Sequence, residues 1–161
     1  MTTLVDFTLE NRCVTYRREF QFPATIDPTS RRILLKIGAR YGAITMPAEL
    51  GERVQQRLRP AGMAGPVVAH PRALRWTFLT GPARPDSLSA AESAELFRLY
   101  ATVAAAGSHI VLPSPDDERT GYRTWVQAPE SGTDRPPQSA VIDAIRTLGT
   151  HRNIQDRTAR R

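Results

Sequence analysis

Short apolar runs with strand spacing alternate along this chain with stripes of helical spacing, and that alternation limits it to a layered fold of sheets and helices. Arg32 to Ile37 reads as a strand with Ile33, Leu35 and Ile37 on one face, and Ala43 to Met46 as a second, buried strand. Pro47 suits the first position of a helix, in which Leu50, Val54 and Leu58 form one apolar stripe. Glu49 and Glu52 favour its N-terminus, Arg57 and Arg59 its C-terminus, and Gly62 its stop. Pro66 to Ala69 and Trp76 to Leu79 read as two further strands around a His70-Pro71-Arg72-Ala73 turn. Gly81 to Ser87 is a proline-rich loop. Ser89 and Glu92 fit a capping box, opening a helix that continues through Leu96, Leu99, Tyr100 and Val103 and ends at Gly107. His109 to Leu112 is a strand, with Tyr122 to Val126 as its partner across the polar hairpin PSPDDERTG. Pro136 and Pro137 introduce a last helix, with Val141, Ile145 and Leu148 on one side and Gly149 as its cap.

Ahead of these units, Leu4, Phe7, Asn11, Val14 and Arg18 predict an N-terminal helix that stops before Pro23, followed by a turn-rich connection from Pro23 to Ser30. The expectation is a single α+β (mixed α/β) domain over residues 1–150, an N-terminal helix followed by three strand-strand-helix units. The units share no sequence, so they are not repeats. The length of 161 residues fits one such domain.

The formal charge is +6, and Lys36 is the only lysine among 22 basic residues. Half of the excess lies in His151 to Arg161, where Arg152, Arg157, Arg160 and Arg161 face only Asp156. These last residues read as a basic, flexible tail, able to neutralise phosphates or simply solvated and frayed. The arginine bias, with abundant Ala and Pro, also fits a GC-rich genome, which weakens any inference from arginine to phosphate. One lysine and no GxxxxGK[ST] exclude a P-loop hydrolase. One cysteine, Cys13, excludes a disulfide framework and a zinc ribbon and is consistent with a reducing cytosol. With no leader and no long apolar run, the expectation is a cytoplasmic protein without a membrane span.

Few residues invite chemistry. His70, with Arg72 and Arg75 close by, can hold a phosphate or be an exposed loop histidine. His109 opens a strand, as a general base or as a structural residue. Asp116, Asp117 and Glu118 cluster at the expected hairpin tip, where a solvated turn explains them. No strand carries Asp-x-Asp or Asp-x-Glu, the spacing that sets two carboxylates on one face for a pair of metal ions. No GxSxG, HExxH or Cys/His cluster occurs, so neither a catalytic residue nor a metal ligand nor a cofactor is expected. An unrelated enzyme would have to bring His70 or His109 together with Asp116 or Asp117 in a pocket. The aromatics Trp76, Phe78, Tyr122 and Trp125 fall on expected strands, where they can stack bases or fill a core.

Taken in order, AITMPAELGERVQQRL, GPVVAHPRALRWTFLTGP and GSHIVLPSP…GYRTWVQAP, with the closing Pro-Pro-led helix, resemble the bifunctional DNA primase/polymerase N-terminal (prim-pol) domain. The likeness is to its short, diverged actinobacterial versions and covers roughly Arg32 to Leu148. It implies the family's fold and, in active members, an acidic pair on a strand, a small-x-His motif for nucleotide phosphate and a later metal-binding Asp. The matching strand here, Gly42 to Met46, has no carboxylate, and the matching segment Arg72 to Trp76 has no histidine. The resemblance therefore implies a prim-pol fold without nucleotidyl transfer, acting as a binding or regulatory protein. The expected partner is a nucleic acid, DNA or RNA, or alternatively another protein with no nucleic acid involved. Candidate nucleic-acid contacts are His70, Arg72, Arg75, Arg119, Arg123, Arg152, Arg157 and Arg160.

Overall fold

The computed structural model describes residues 7–82, 88–130 and 135–160. Helix α1 (Leu9–Arg18) is capped by Thr8, whose hydroxyl accepts the Asn11 amide. Strands β1 (Ala24–Ile26), β2 (Ile33–Lys36) and β3 (Gly42–Pro47) follow, then α2 (Ala48–Leu58), β4 (Val67–His70), β5 (Arg75–Thr80) and α3 (Ala90–Arg98). The chain continues through β6 (Thr102–Val103), β7 (His109–Leu112), α4 (Pro115–Thr120), β8 (Thr124–Gln127) and α5 (Gln138–Ala159). This is the expected mixed α+β architecture, opened by a helix.

The strands form two antiparallel sheets, one ordered β1-β2-β7 and the other β6-β3-β5-β4-β8. In the larger sheet, β3-α2-β4-β5-α3-β6 is a βαββαβ unit with β8 added beside β4. Alternation along its strands separates two faces. Ile44, Met46, Trp76, Phe78 and Val67 lie in the core beneath α2, α3 and α5, with Val54, Leu58, Leu96, Val141, Ile142 and Ile145. On the opposite face, Ala43 and Leu79 join Ile33, Leu35 and Leu112 of the small sheet and Tyr16 and Phe22 near α1. The same face then turns polar: Thr45 pairs with Thr77, and His70 with Arg75.

Several expectations are corrected by non-local pairing. The Pro23–Ser30 connection contains β1, which its β-branched Thr25 and Ile26 allow and which β2 holds in register. The helix from Ser89 has its capping box but ends at Arg98, because Tyr100 turns left-handed (φ 57°) and Thr102 and Val103 pair with β3. Gly107 lies between β6 and β7, not at a helix end. The PSPDDERTG segment is no hairpin: Ser114 and Asp117 form a second capping box that opens α4. β7 therefore pairs with β2 and β8 with β4, in different sheets.

Gly149 is not a cap either. It sits inside α5 with a helical backbone, and a Cβ there would meet Leu99 Cδ1 at 2.6 Å. The glycine serves close helix packing, and the expected flexible tail is instead a continuation of α5 to Ala159. The expected loop over 83–87 lies outside the described residues, as does Leu4.

Gly51 makes a parallel approach between α2 and β5, where a Cβ would stand 2.9 Å from Trp76 Cε3 and 3.1 Å from Trp76 Cβ. Helix propensity alone favours alanine by ~1 kcal/mol. Overpacking against a fixed indole costs about 1–3 kcal/mol and wins. Gly51→Ala is expected to lower stability in a denaturant titration, and an unchanged or raised midpoint contradicts this packing.

Candidate functional site

Where the polar half of the large sheet emerges from between the sheets, it floors a groove of about 390 Å³. Thr45 (β3), Thr77 (β5) and His70 (β4) face it, Ile110 and Val111 of β7 form an apolar wall, and Arg72, Ala73, Arg75, Tyr122 and Arg123 complete it. Pro71 to Ala73 make one 3-10 turn that brings Arg72 to the rim, and Leu74 closes that turn with φ 54°. A side chain in this left-handed region is strained, and the strain lets β5 restart with Arg75 opposite His70.

The floor is a hydrogen-bonded line across three neighbouring strands. His70 Nε2 lies 2.9 Å from Thr77 Oγ1, which lies 2.8 Å from Thr45 Oγ1. Thr77 is buried and His70 half-buried. Arg75 donates to the carbonyls of Tyr100 at 2.8 Å and Thr45 at 3.3 Å, which fix its position without cancelling its charge. Arg123, only 6% exposed, donates to Asp117 Oδ2 at 2.7 Å, and its Nε has no hydrogen-bond partner. The guanidinium carbons of Arg72 and Arg123 each lie 5.1 Å from the centre of the Tyr122 ring. Tyr122 is 41% exposed, so it belongs to the groove and not to a core, whereas Phe78 is fully buried.

Short helix α4 supports this wall from behind. Its Asp117 caps the helix through the Ser114 amide and also takes the Arg123 bond. Its Glu118 takes two bonds from Arg12, at 2.7 and 3.2 Å, and Arg12 is 1% exposed. Beside them the Tyr16 hydroxyl donates to the Pro113 carbonyl at 2.6 Å and accepts from the Trp125 indole at 3.0 Å. Burial pushes that hydroxyl well above the usual tyrosine range, so it stays a donor. The acidic cluster expected at a solvated hairpin tip is therefore structural at two of its positions.

Four of the candidate contacts, His70, Arg72, Arg75 and Arg123, converge in this groove. Arg119 does not: it is exposed on α4 and pairs with Asp116 one turn away. Arg157 and Arg160 are exposed at the end of α5, the helix packed against α2 and α3 on the other side of the large sheet. The side chain of Arg152 lies outside the described residues. His109 is exposed at the start of β7 and does not line the groove. Thr45 and Thr77 were not singled out by sequence, although both are polar positions within otherwise apolar strands. A second hollow, about 320 Å³ between α2, α3 and α5, mixes Glu49 and Glu95 with Arg53, Arg98 and Arg146 and so has no single sign of charge.

Among the described residues, no carboxylate lines the groove and none pairs with Arg72 or Arg75. Nor do three His, Cys, Asp or Glu side chains gather among them to hold a metal ion. No helix of the described residues is long and apolar enough to cross a membrane. Compared with known proteins, the chain matches no family model, no curated protein and no solved structure.

Burial, then Arg123 and Arg75, hold the His70 imidazole below its ordinary range, against a smaller opposing effect of Asp117. The folded state thus binds this proton less readily than the unfolded chain. The stability carried by neutral His70 is present above about pH 6.5 and is lost as the pH falls through the lowered value. Between about pH 7 and 5, stability is expected to fall more steeply in the wild type than in His70→Gln. Equal slopes contradict this placement. Glu118→Ala, which leaves buried Arg12 without this carboxylate, is expected to cost about 2–3 kcal/mol in a denaturant titration. That is less than the ~3–5 kcal/mol of a fully buried pair, because Glu118 is partly exposed.

Proposed function

We propose that this chain is a non-catalytic, prim-pol-like module of the cytoplasm that binds single-stranded nucleic acid in the groove over its large sheet, in a binding or regulatory role. The observation that carries the reading is the meeting of the local cluster His70, Arg72 and Arg75 with Arg123, from a distant segment, in one concave surface that no carboxylate lines among the described residues. Guanidinium groups suit phosphate oxygens, and Tyr122 with the Ile110–Val111 wall offers apolar and aromatic surface to a base. A volume of about 390 Å³ is the size of a small-ligand site and takes one or two nucleotides of a strand.

The prim-pol resemblance supports the non-catalytic half of the reading. On that resemblance β3 is the strand that carries the acidic pair in active members. On the face of β3 turned toward the small sheet stand Ala43, buried between the sheets, and Thr45, in the groove, neither of which can ligate a divalent cation as a carboxylate pair would. Without that carboxylate pair the groove meets phosphate through arginine and histidine side chains, which suits binding and not metal-assisted nucleotidyl transfer.

Fluorescence anisotropy of a labelled single-stranded oligonucleotide tests this directly. Affinity is expected to fall linearly with salt on a double-logarithmic plot. Arg72→Ala, at an exposed side chain, should weaken binding across sequences and reduce the slope by about 1. The double change Arg157→Ala/Arg160→Ala should leave the slope nearly as it was. Absence of binding at low salt, or a loss confined to the α5 double variant, contradicts the groove.

The alternative, a protein-docking module, rests on Phe97 and Tyr100, which are 81% and 74% exposed at the end of α3. It gains ground only if the oligonucleotide fails to bind.

A further inference from the structure

We propose that His70 takes up a proton from solvent when a phosphate occupies the groove, so that the site binds nucleic acid in a proton-coupled way. This inference rests on the nucleic-acid reading above and concerns how that same site is regulated.

The geometry of the floor permits both protonation states without moving a heavy atom. A hydroxyl is donor and acceptor and turns about its own bond. With neutral His70, Thr77 can donate to Nε2 across 2.9 Å while it accepts from Thr45 across 2.8 Å. With charged His70, Nε2–H donates to Thr77 Oγ1, and Thr77 turns to donate to Thr45. The same line of three side chains thus satisfies the ring as imidazole or as imidazolium. Burial of Thr77 and its pairing on the central strands hold the line in place.

The charges around His70 set the direction of the coupling. Facing it are Arg75 on the adjacent strand β5, Arg72 on the turn that follows β4, and Arg123 beside β8. Among the described residues, Asp117 on α4 is the carboxylate that acts on it, and it is already bonded to Arg123. In the empty groove burial, then Arg123 and Arg75, hold the ring below its ordinary range and so favour its neutral form. A phosphate placed among Arg72, Arg75 and Arg123 cancels part of that positive field. The ring then accepts a proton at Nε2 from bulk water, adding a positive group to the anion's surroundings. By linkage, a ligand that favours the protonated state binds more tightly as the pH falls.

The test is anisotropy of a fluorescent oligothymidylate with hydroxyl ends, whose phosphodiester charge is constant over the range, measured from about pH 8 to about pH 6 at fixed salt. The wild type is expected to gain affinity by roughly fivefold to tenfold as His70 becomes protonatable in the complex. His70→Gln keeps a hydrogen-bonding partner for Thr77 and should bind with nearly constant affinity over that range. His109→Gln, away from the groove, should behave as the wild type. Should His70→Gln fold poorly, Thr77→Val removes the acceptor of the Nε2 proton and should flatten the profile in the same way. Binding that is salt-sensitive but independent of pH in the wild type overturns the proton coupling and leaves the nucleic-acid reading standing. Equal pH dependence in wild type and His70→Gln also overturns it. No binding at any pH overturns both.

Discussion

The ion pair between Arg123 and Asp117 holds the site together. Arg123 is almost wholly buried, so its charge requires a partner, and Asp117 supplies one at 2.7 Å while also capping α4. One residue further along, Glu118 does the same for buried Arg12. These two carboxylates fix α4 between α1 and β8, and with it the Tyr122–Arg123 wall of the groove. They also determine its sign. With those carboxylates engaged behind the wall, Arg72 and Arg75 in front of it have no acidic partner among the described residues. A buried pair of this kind adds little net stability over an apolar pair, but breaking it is costly. Its consequence here is positional.

The second constraint is the change of character along one sheet face. Ala43 and Leu79 let the small sheet pack closely on the large one. One register step on, Thr45, Thr77, His70 and Arg75 cannot be buried against apolar neighbours without cost. They bond one another and the backbone, and the sheets leave a groove above them. The helix side of the sheet has no such break, and Ile44, Met46, Phe78 and Val67 are fully covered there. Fold and site thus share one cause in the alternation of residues along β3 and β5.

Local patterns in the sequence were enough to place β2, β3, α2, β4, β5 and the capped start of α3. Each carries its own signal: alternation, an i, i+4, i+8 stripe, or a Ser-x-x-Glu box. β1 and β6 carry too few residues for a pattern and exist because a neighbouring strand pairs with them. α4 has no apolar stripe, and its Ser-Pro-Asp-Asp start, a capping signal, was masked by the turn preference of the same residues. Gly149 looked like a stop because glycine commonly ends helices, whereas only the packing of Leu99 explains it. Among site residues, His70, Arg72 and Arg75 were visible as a local cluster. Their meeting with Arg123 depends on β8 joining β4, a pairing no local signal encodes. Arg119 and the arginines of α5 had the right charge at the wrong place, which counts of charge cannot distinguish.

The central claim is that this groove is where an anionic strand binds. Backbone amide shifts in a proton–nitrogen NMR titration with a short single-stranded oligonucleotide test it most directly. The account predicts changes concentrated at Thr45, His70 to Thr77, Ile110, Val111, Tyr122 and Arg123, saturating together. Changes confined to the α3 end around Phe97 and Tyr100, or to the last turns of α5, would contradict it.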